Sequence, residues 1–199
     1  MAVNFSESRT KENLMRAFAG ESQARNRYTI AAERAEKEGM YTIADIFRYT
    51  ADQERAHAER YYDLLKELAG ETIHIDGSYP VDQQDSLPGL LRAAEYNEHE
   101  EYEDVYQAFG DTATEEGFHE AASAFYQIAE VEHVHEERFG RLAKLLEDGT
   151  YYGGGEVTKW MCTHCGYIHE GNQAPKYCPA CRHEQGYFIP YEFACYRGE

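Results

Sequence analysis

The sequence predicts a mainly α fold: a four-helix bundle followed by a small module of short strands and loops. Three observations carry that prediction. Four long segments place apolar residues at spacings of three and four, the mark of helices with one face turned to a core. The longest connection falls between the second and third of them. Beyond position 149 the helical period disappears, and all five cysteines of the 199-residue chain lie between Cys162 and Cys195.

The first helix is expected over 7–38, ending at Gly39, and the second over 42–69, ending at Gly70, with Thr42 and Asp45 resembling a capping box. The third is expected over 87–109 with Ser86 as N-cap and Gly110 as its stop, and the fourth over 114–148, ending at Gly149. Short connections make helices one and two, and three and four, antiparallel pairs. The segment 70–85 is long enough to run the length of a bundle. Two antiparallel hairpins joined by one long crossover is the ferritin-like connectivity. Residues 1–149 are therefore read as the bundle and 150–156, with Tyr151-Tyr152-Gly153-Gly154-Gly155, as a flexible linker. Residues 157–199 form a module too small to hold itself by apolar burial, so a metal staple is expected.

Composition excludes several classes. Nineteen Lys and Arg stand against 37 Asp and Glu, a formal net charge of −18, which disfavours nucleic acid as a partner. Apolar residues make up 42%, and their periodicity argues against disorder. There is no apolar run of membrane-spanning length and no basic-then-apolar leader, so a cytoplasmic protein without membrane contact is expected.

The helical stripes locate the chemistry. Helix one reads Leu14, Phe18, Glu21, Arg25, Tyr28, and helix two Ile43, Phe47, Thr50, Glu54, His57, Tyr61, Leu64. Helix three reads Leu91, Glu95, Glu98, Tyr102, Val105, Phe109, and helix four Ile128, Glu132, His135, Phe139, Leu142. Each stripe is apolar at both ends and holds carboxylate or imidazole in the middle. Buried carboxylates need a compensating charge. Arg25 could pair with only one of them, whereas a dinuclear metal centre compensates them all. Two Glu-x-x-His pairs, Glu54/His57 and Glu132/His135, with one Glu from each other helix, Glu21 and Glu95, match the donor pattern of ferritin-like di-iron and di-manganese proteins. Oxygen with imidazole suits first-row transition ions better than calcium. A weak internal repeat supports the pairing, because Glu21 precedes Glu54 by 33 residues and Glu95 precedes Glu132 by 37. Glu98 is then a carboxylate beyond the symmetric set, with Ala24 at the equivalent place, and Glu101 sits at the margin of the stripe. Glu130 and His133 share the spacing but fall on a solvated face.

Cys162-x-x-Cys165 and Cys178-x-x-Cys181, twelve residues apart, form a tetrahedral thiolate site. The spacing leaves zinc or mononuclear iron open. The segments around Cys162-Thr163-His164-Cys165-Gly166-Tyr167 and Cys178-Pro179-Ala180-Cys181 resemble rubredoxin knuckles, which favours iron. Trp160, Tyr167, Tyr177 and Phe188 are expected to form the small aromatic core, and Cys195 is read as a free, incidental thiol.

A ferritin-like bundle, a linker and a rubredoxin-like tail, in that order, resemble the rubrerythrins along essentially the whole chain. The resemblance implies a di-iron site ligated by Glu21, Glu54, Glu95, Glu98, Glu132 and His135. Glu54 and Glu132 would bridge, and His57 would replace Glu98 on reduction. It implies a non-haem peroxidase of anaerobic or microaerophilic cells that reduces hydrogen peroxide. Electrons would arrive through the tail iron on Cys162, Cys165, Cys178 and Cys181, from an NAD(P)H-linked reductase or a rubredoxin. A head-to-tail homodimer is also implied. Tyr28 and Tyr102 are the candidates to hydrogen-bond the carboxylates or the peroxide. The rival reading is a ferroxidase that stores or detoxifies iron. The attached one-electron module and Glu98 argue against it.

Overall fold

The computed structural model describes residues 3–195. Helix α1 runs Arg9–Lys37, capped by the Ser8 hydroxyl, which accepts from the Lys11 N–H. Helix α2 runs Tyr41–Leu64 and returns antiparallel to α1. It starts without a side-chain cap: Thr42 is buried and its hydroxyl bonds the Tyr151 hydroxyl at 2.9 Å, so the expected capping box does not form.

An extended crossover then passes back along the bundle, tied down by Arg16–Asp76 (2.7 Å) and by Arg27–Asp82. Ser86 caps α3, Leu87–Glu100, by accepting from the Gly89 N–H. A turn of π-helix, Glu101–Val105, leads directly into α4, Tyr106–Glu116. Gly110 does not stop the helix. The Tyr126 ring packs so closely that a Cβ at Gly110 would lie 2.4 Å from it. The stop is Gly117, whose φ of 88° is the left-handed cap that glycine adopts without strain. Helix α5, His119–Glu147, completes the bundle. Among the described residues no helix is long and apolar enough to cross a membrane.

The core splits into two apolar clusters. One gathers Ile43, Phe47, Leu91, Phe139 and Leu142, and the other Leu14, Tyr61, Tyr106, Phe125 and Ile128. The polar residues of the stripes lie between them, walled from water at both ends.

The tail holds a three-stranded antiparallel sheet, β1 Lys159–Cys162, β2 Ile168–Glu170 and β3 Phe188–Pro190, in the order β2-β1-β3. Trp160 and Phe188 are fully buried in its core, with Tyr167 and Tyr187 packed against them. Tyr177 is 56% exposed and takes no part in that core. The tail rests on the α1–α2 end of the bundle. Tyr187 stacks on Tyr41 at 4.4 Å, and a Cβ on Gly186 would fall 1.8 Å from the Gly39 carbonyl oxygen. Only glycine permits that approach.

Candidate metal centre

Four helical rods bring Glu21, Glu54, Glu98, Glu132 and His135 to the bundle centre, each at most 1% exposed. Their donor atoms form two overlapping groups. Glu21, Glu54, His57 and Glu132 make one, and Glu54, Glu98, Glu132 and His135 the other, with all atoms of a group within 4.8 Å of one another. Glu54 and Glu132 belong to both, which is the layout of two adjacent ions sharing two carboxylates. His57 Nδ1 lies 3.0 Å from Glu132 Oε1 and 3.1 Å from Glu54 Oε2. His135 Nδ1 lies 2.8 Å from Glu132 Oε2 and 3.1 Å from Glu54 Oε1.

The donor set fits a metal pair. Glu21 Oε2, Glu54 Oε1, Glu98 Oε2, both Glu132 oxygens and His135 Nδ1 are buried without a hydrogen-bond partner, although several stand within ion-pair range. So many unsatisfied acceptors facing one another are costly unless a cation lies among them. Electrostatics agree. Burial, with Glu132 and Glu54 alongside, pushes Glu21 well above the usual carboxylate range, and burial beside Glu54 raises Glu98 to about 8. Burial also opposes charge on Glu54, yet the close imidazoles of His135 and His57 bring it down to about 2. The carboxylates outweigh burial at His57, which is driven upward, and hold His135 up at about 12. Without metal, the cage offsets its negative charge with protons on imidazole and carboxyl groups. Divalent ions would displace those protons.

The third rod departs from its expected stripe. Glu95 lies outside the cage, where Arg92 holds it at 2.6 Å and its carboxylate covers Gly140 on α5. Tyr102 is also outside and stacks on His133 at 4.5 Å. Glu101, half-buried, turns toward the cage instead, and desolvation with Glu21 and Glu98 alongside pushes its carboxyl strongly upward. Tyr106 is the inward tyrosine; its hydroxyl donates to Glu21 Oε1 at 2.5 Å, while that of Tyr28 donates to Glu98. The π turn is the cause. Read back from Tyr106 at regular helical spacing, the stripe falls on Tyr102 and Glu95. The extra residue of a π turn moves it to Glu101, Glu98, Ala94 and Leu91, of which Glu98, Ala94 and Leu91 are buried side chains of α3. The signal available in the sequence was an unbroken four-three alternation through Leu87, Leu91, Ala94, Glu98 and Glu101. On α1, Arg25 points to solvent and Ala24 takes the inward place, so no arginine of that stripe competes for the carboxylates. Glu98 becomes the true counterpart of Glu21, 34 residues before Glu132, and Glu101 is the carboxylate that has Ala24 opposite.

In the tail, Sγ of Cys162 lies 3.8 Å from Cys181 and Sγ of Cys165 lies 3.7 Å from Cys178. These match the edge, roughly 3.8 Å, of a tetrahedron with metal–sulfur bonds near 2.3 Å. Burial pushes the Cys162 thiol up to about 12. At Cys178 burial acts the same way, but the N–H groups of Cys181 and Ala180 outweigh it and bring the thiol to about 7. Cys195 is exposed and unpaired with another cysteine.

Two helix pairs closing on a carboxylate–imidazole cage, with a four-thiolate knuckle pair attached, define a ferritin-like di-metal protein with a four-cysteine metal tail. The comparisons name the family. The rubrerythrin family model matches residues 12–143, and the model of the rubrerythrin rubredoxin-like domain matches residues 160–189. The chain is 49% identical over 183 residues to a rubrerythrin of Clostridium perfringens, covering 91% of this chain and 93% of the relative. It is 47% identical to one of Porphyromonas gingivalis, covering 92% and 90%. Nigerythrin, solved in a fully reduced, all-ferrous state, superposes with a TM-score of 0.61 at 31% identity, over 96% of this chain and 94% of that one. A Desulfovibrio desulfuricans bacterioferritin shares the bundle fold, with a TM-score of 0.63 at 24% identity over 70% and 80%. The chain belongs to the rubrerythrin family. Its Glu/His cluster is a di-iron carboxylate site, and its four cysteines form a rubredoxin-like iron site.

Proposed function

We propose that the protein reduces hydrogen peroxide to water in the bundle, with electrons returned through the tail. One observation carries this reading: a single chain holds both a binuclear cage and a four-thiolate module. With metal bound, the cage holds two reducing equivalents together and the four-thiolate site passes them one at a time. The balance is H2O2 + 2 e− + 2 H+ → 2 H2O, so the side chains must hold metal, admit a small substrate and supply protons.

We assign Glu21, Glu54, His57, Glu98, Glu132 and His135 as the donor set, with Glu54 and Glu132 spanning both positions. Glu101 takes over the exchange with His57 that the resemblance placed on Glu98. Its strongest charged neighbour is Glu21, which shares His57's side of the cage. Glu98 faces His135 and is held by Tyr28. Tyr106 steadies Glu21, so the two terminal carboxylates are braced while Glu101 and His57 are not. A carboxyl kept protonated by burial, as at Glu101, is also a proton source beside the cage.

The position of the tail supports a head-to-tail homodimer. Thr42, which touches the Phe188 carbonyl at 3.5 Å, lies twelve residues before Glu54, roughly 18 Å along α2. A second copy could bring its own thiolate site closer to the cage. The electrons come from an NAD(P)H-linked reductase, directly or through a rubredoxin, and the working place is the cytoplasm of an oxygen-avoiding cell. Residues 1–149 act as the reaction domain and 157–199 as the relay.

The test is an anaerobic one. The iron-loaded, fully reduced protein is mixed with hydrogen peroxide, and the visible absorption of the thiolate iron is followed. Prompt reoxidation is expected. A tail that stays reduced while peroxide persists would contradict the proposal.

A further inference from the structure

The two imidazoles of the cage are not held alike. His135 is braced from behind, since its Nε2 lies 3.1 Å from Gln53 Oε1. Arg138 Nη1 lies 3.1 Å from the same oxygen and 2.9 Å from the Thr50 hydroxyl, and its guanidinium is roofed by the Tyr49 ring at 5.3 Å. A guanidinium can only donate, so it fixes which end of the Gln53 amide faces inward. An amide oxygen can only accept, so Nε2 of His135 must carry the proton. When a metal displaces the other ring proton, Nδ1, the atom facing Glu54 and Glu132, is then the lone-pair donor.

His57 differs. Its Nδ1 faces the cage, bonded to Glu54 at 3.1 Å and lying 3.0 Å from Glu132 and 3.8 Å from Glu21. The internal repeat shows what it lacks. Gln53 immediately precedes Glu54, and the residue immediately preceding Glu132 is Val131, which has no acceptor. Arg138 follows His135 by three residues; the residue three after His57 is Arg60, which is exposed and pairs with Glu120 at 2.9 Å.

We infer that Gln53, clamped by Arg138, is a positioning residue that locks His135 as the permanent imidazole ligand, and that Val131 leaves His57 as the movable one. The inference rests on the di-metal reading of the cage and not on peroxide as substrate.

The test uses the full-length chain loaded with zinc and carrying 15N-labelled histidine. Imidazole N–H exchange is followed by NMR, and metal release by competition with a chelator. In the wild type the His135 Nε2–H should exchange at least about tenfold more slowly than that of His57. Gln53→Val should abolish that protection and loosen one of the two bundle ions about 10–100-fold, leaving the other unchanged. Gln53→Glu keeps the acceptor and should restore both. Val131→Gln should slow exchange at His57, which tests the idea without altering Gln53. Equal exchange at both imidazoles in the wild type overturns the inference, as does unchanged metal release from a folded Gln53→Val protein. A wild type that takes up no zinc in the bundle overturns the cage itself.

Discussion

The two halves of the bundle carry one motif in two versions. In α1 and α2 the order is Glu21, Ala24, Tyr28, then Glu54-x-x-His57, all on regular helix. In α3 to α5 it is Glu98, Glu101, Tyr106, then Glu132-x-x-His135. The tyrosine follows its glutamate by seven residues in the first half and by eight in the second. That surplus residue is the π turn at Glu101–Val105. Each tyrosine reaches across to the other half's glutamate, so the cage itself is close to twofold symmetric. The asymmetry lies in the unbraced His57, in Glu101 and in the π turn that begins at Glu101. A π turn gives up regular helical hydrogen bonding, and such turns recur at functional sites. Binding two ions needs only the symmetric set, while chemistry that moves a ligand needs the part that breaks the symmetry.

The largest expected effect comes from breaking what both halves share. Glu132→Gln keeps shape but removes a charge common to both donor groups. It should weaken bundle metal binding by at least about 100-fold while the tail keeps its iron and colour. Iron content per chain, measured beside the visible spectrum, checks this. Unchanged bundle iron would dissolve the comparison.

Metal removal should expose the electrostatic cost of the cage. Glu98 is raised to about 8 and His135 to about 12, and His57 is raised as well, so the folded chain binds more protons than the unfolded chain above the carboxylate range. Stability of the metal-free protein is then greatest in acid and falls as pH rises. Its Tm should drop by about 5 °C or more between roughly pH 5 and pH 8. Glu54, at about 2, contributes only in stronger acid. In the iron-loaded protein, metal replaces those protons and the drop should largely vanish. Thermal melts at the two pH values check this, and a metal-free Tm that rises with pH would refute it.

A smaller effect separates the two tyrosines. Tyr106→Phe leaves a buried Glu21 oxygen without its donor and should cost about 1–3 kcal/mol. Tyr102→Phe, outside the cage, should stay within about 0.5 kcal/mol. Denaturant melts decide, and equal costs would place both tyrosines wrongly.

Most of this molecule was legible in its sequence because helix and thiolate geometry repeat. The stripes of α1, α2 and α5 lead directly to Glu21, Glu54, His57, Glu132 and His135, and the paired knuckles to the tetrahedral cysteines. The third rod misled because a constant helical period cannot represent a π turn, so Glu95 and Tyr102 stood in for Glu101 and Tyr106. Gly110 looked like a stop because its packing partner, Tyr126, is distant in sequence. Thr42 looked like part of a cap because its real partner, Tyr151, belongs to the segment leading into the tail. In each case a long-range contact or a phase slip replaced a local rule.

The central claim is that the second half of the bundle works through Glu101, and one measurement tests it most directly. Iron-loaded, reduced Glu101→Ala and Glu95→Ala proteins are mixed with hydrogen peroxide, and reoxidation of the tail iron is timed against the wild type. The account predicts that Glu101→Ala keeps its iron but slows at least about tenfold, some 1.4 kcal/mol of barrier, and that Glu95→Ala matches the wild type. A slowed Glu95→Ala beside an unaffected Glu101→Ala would contradict it.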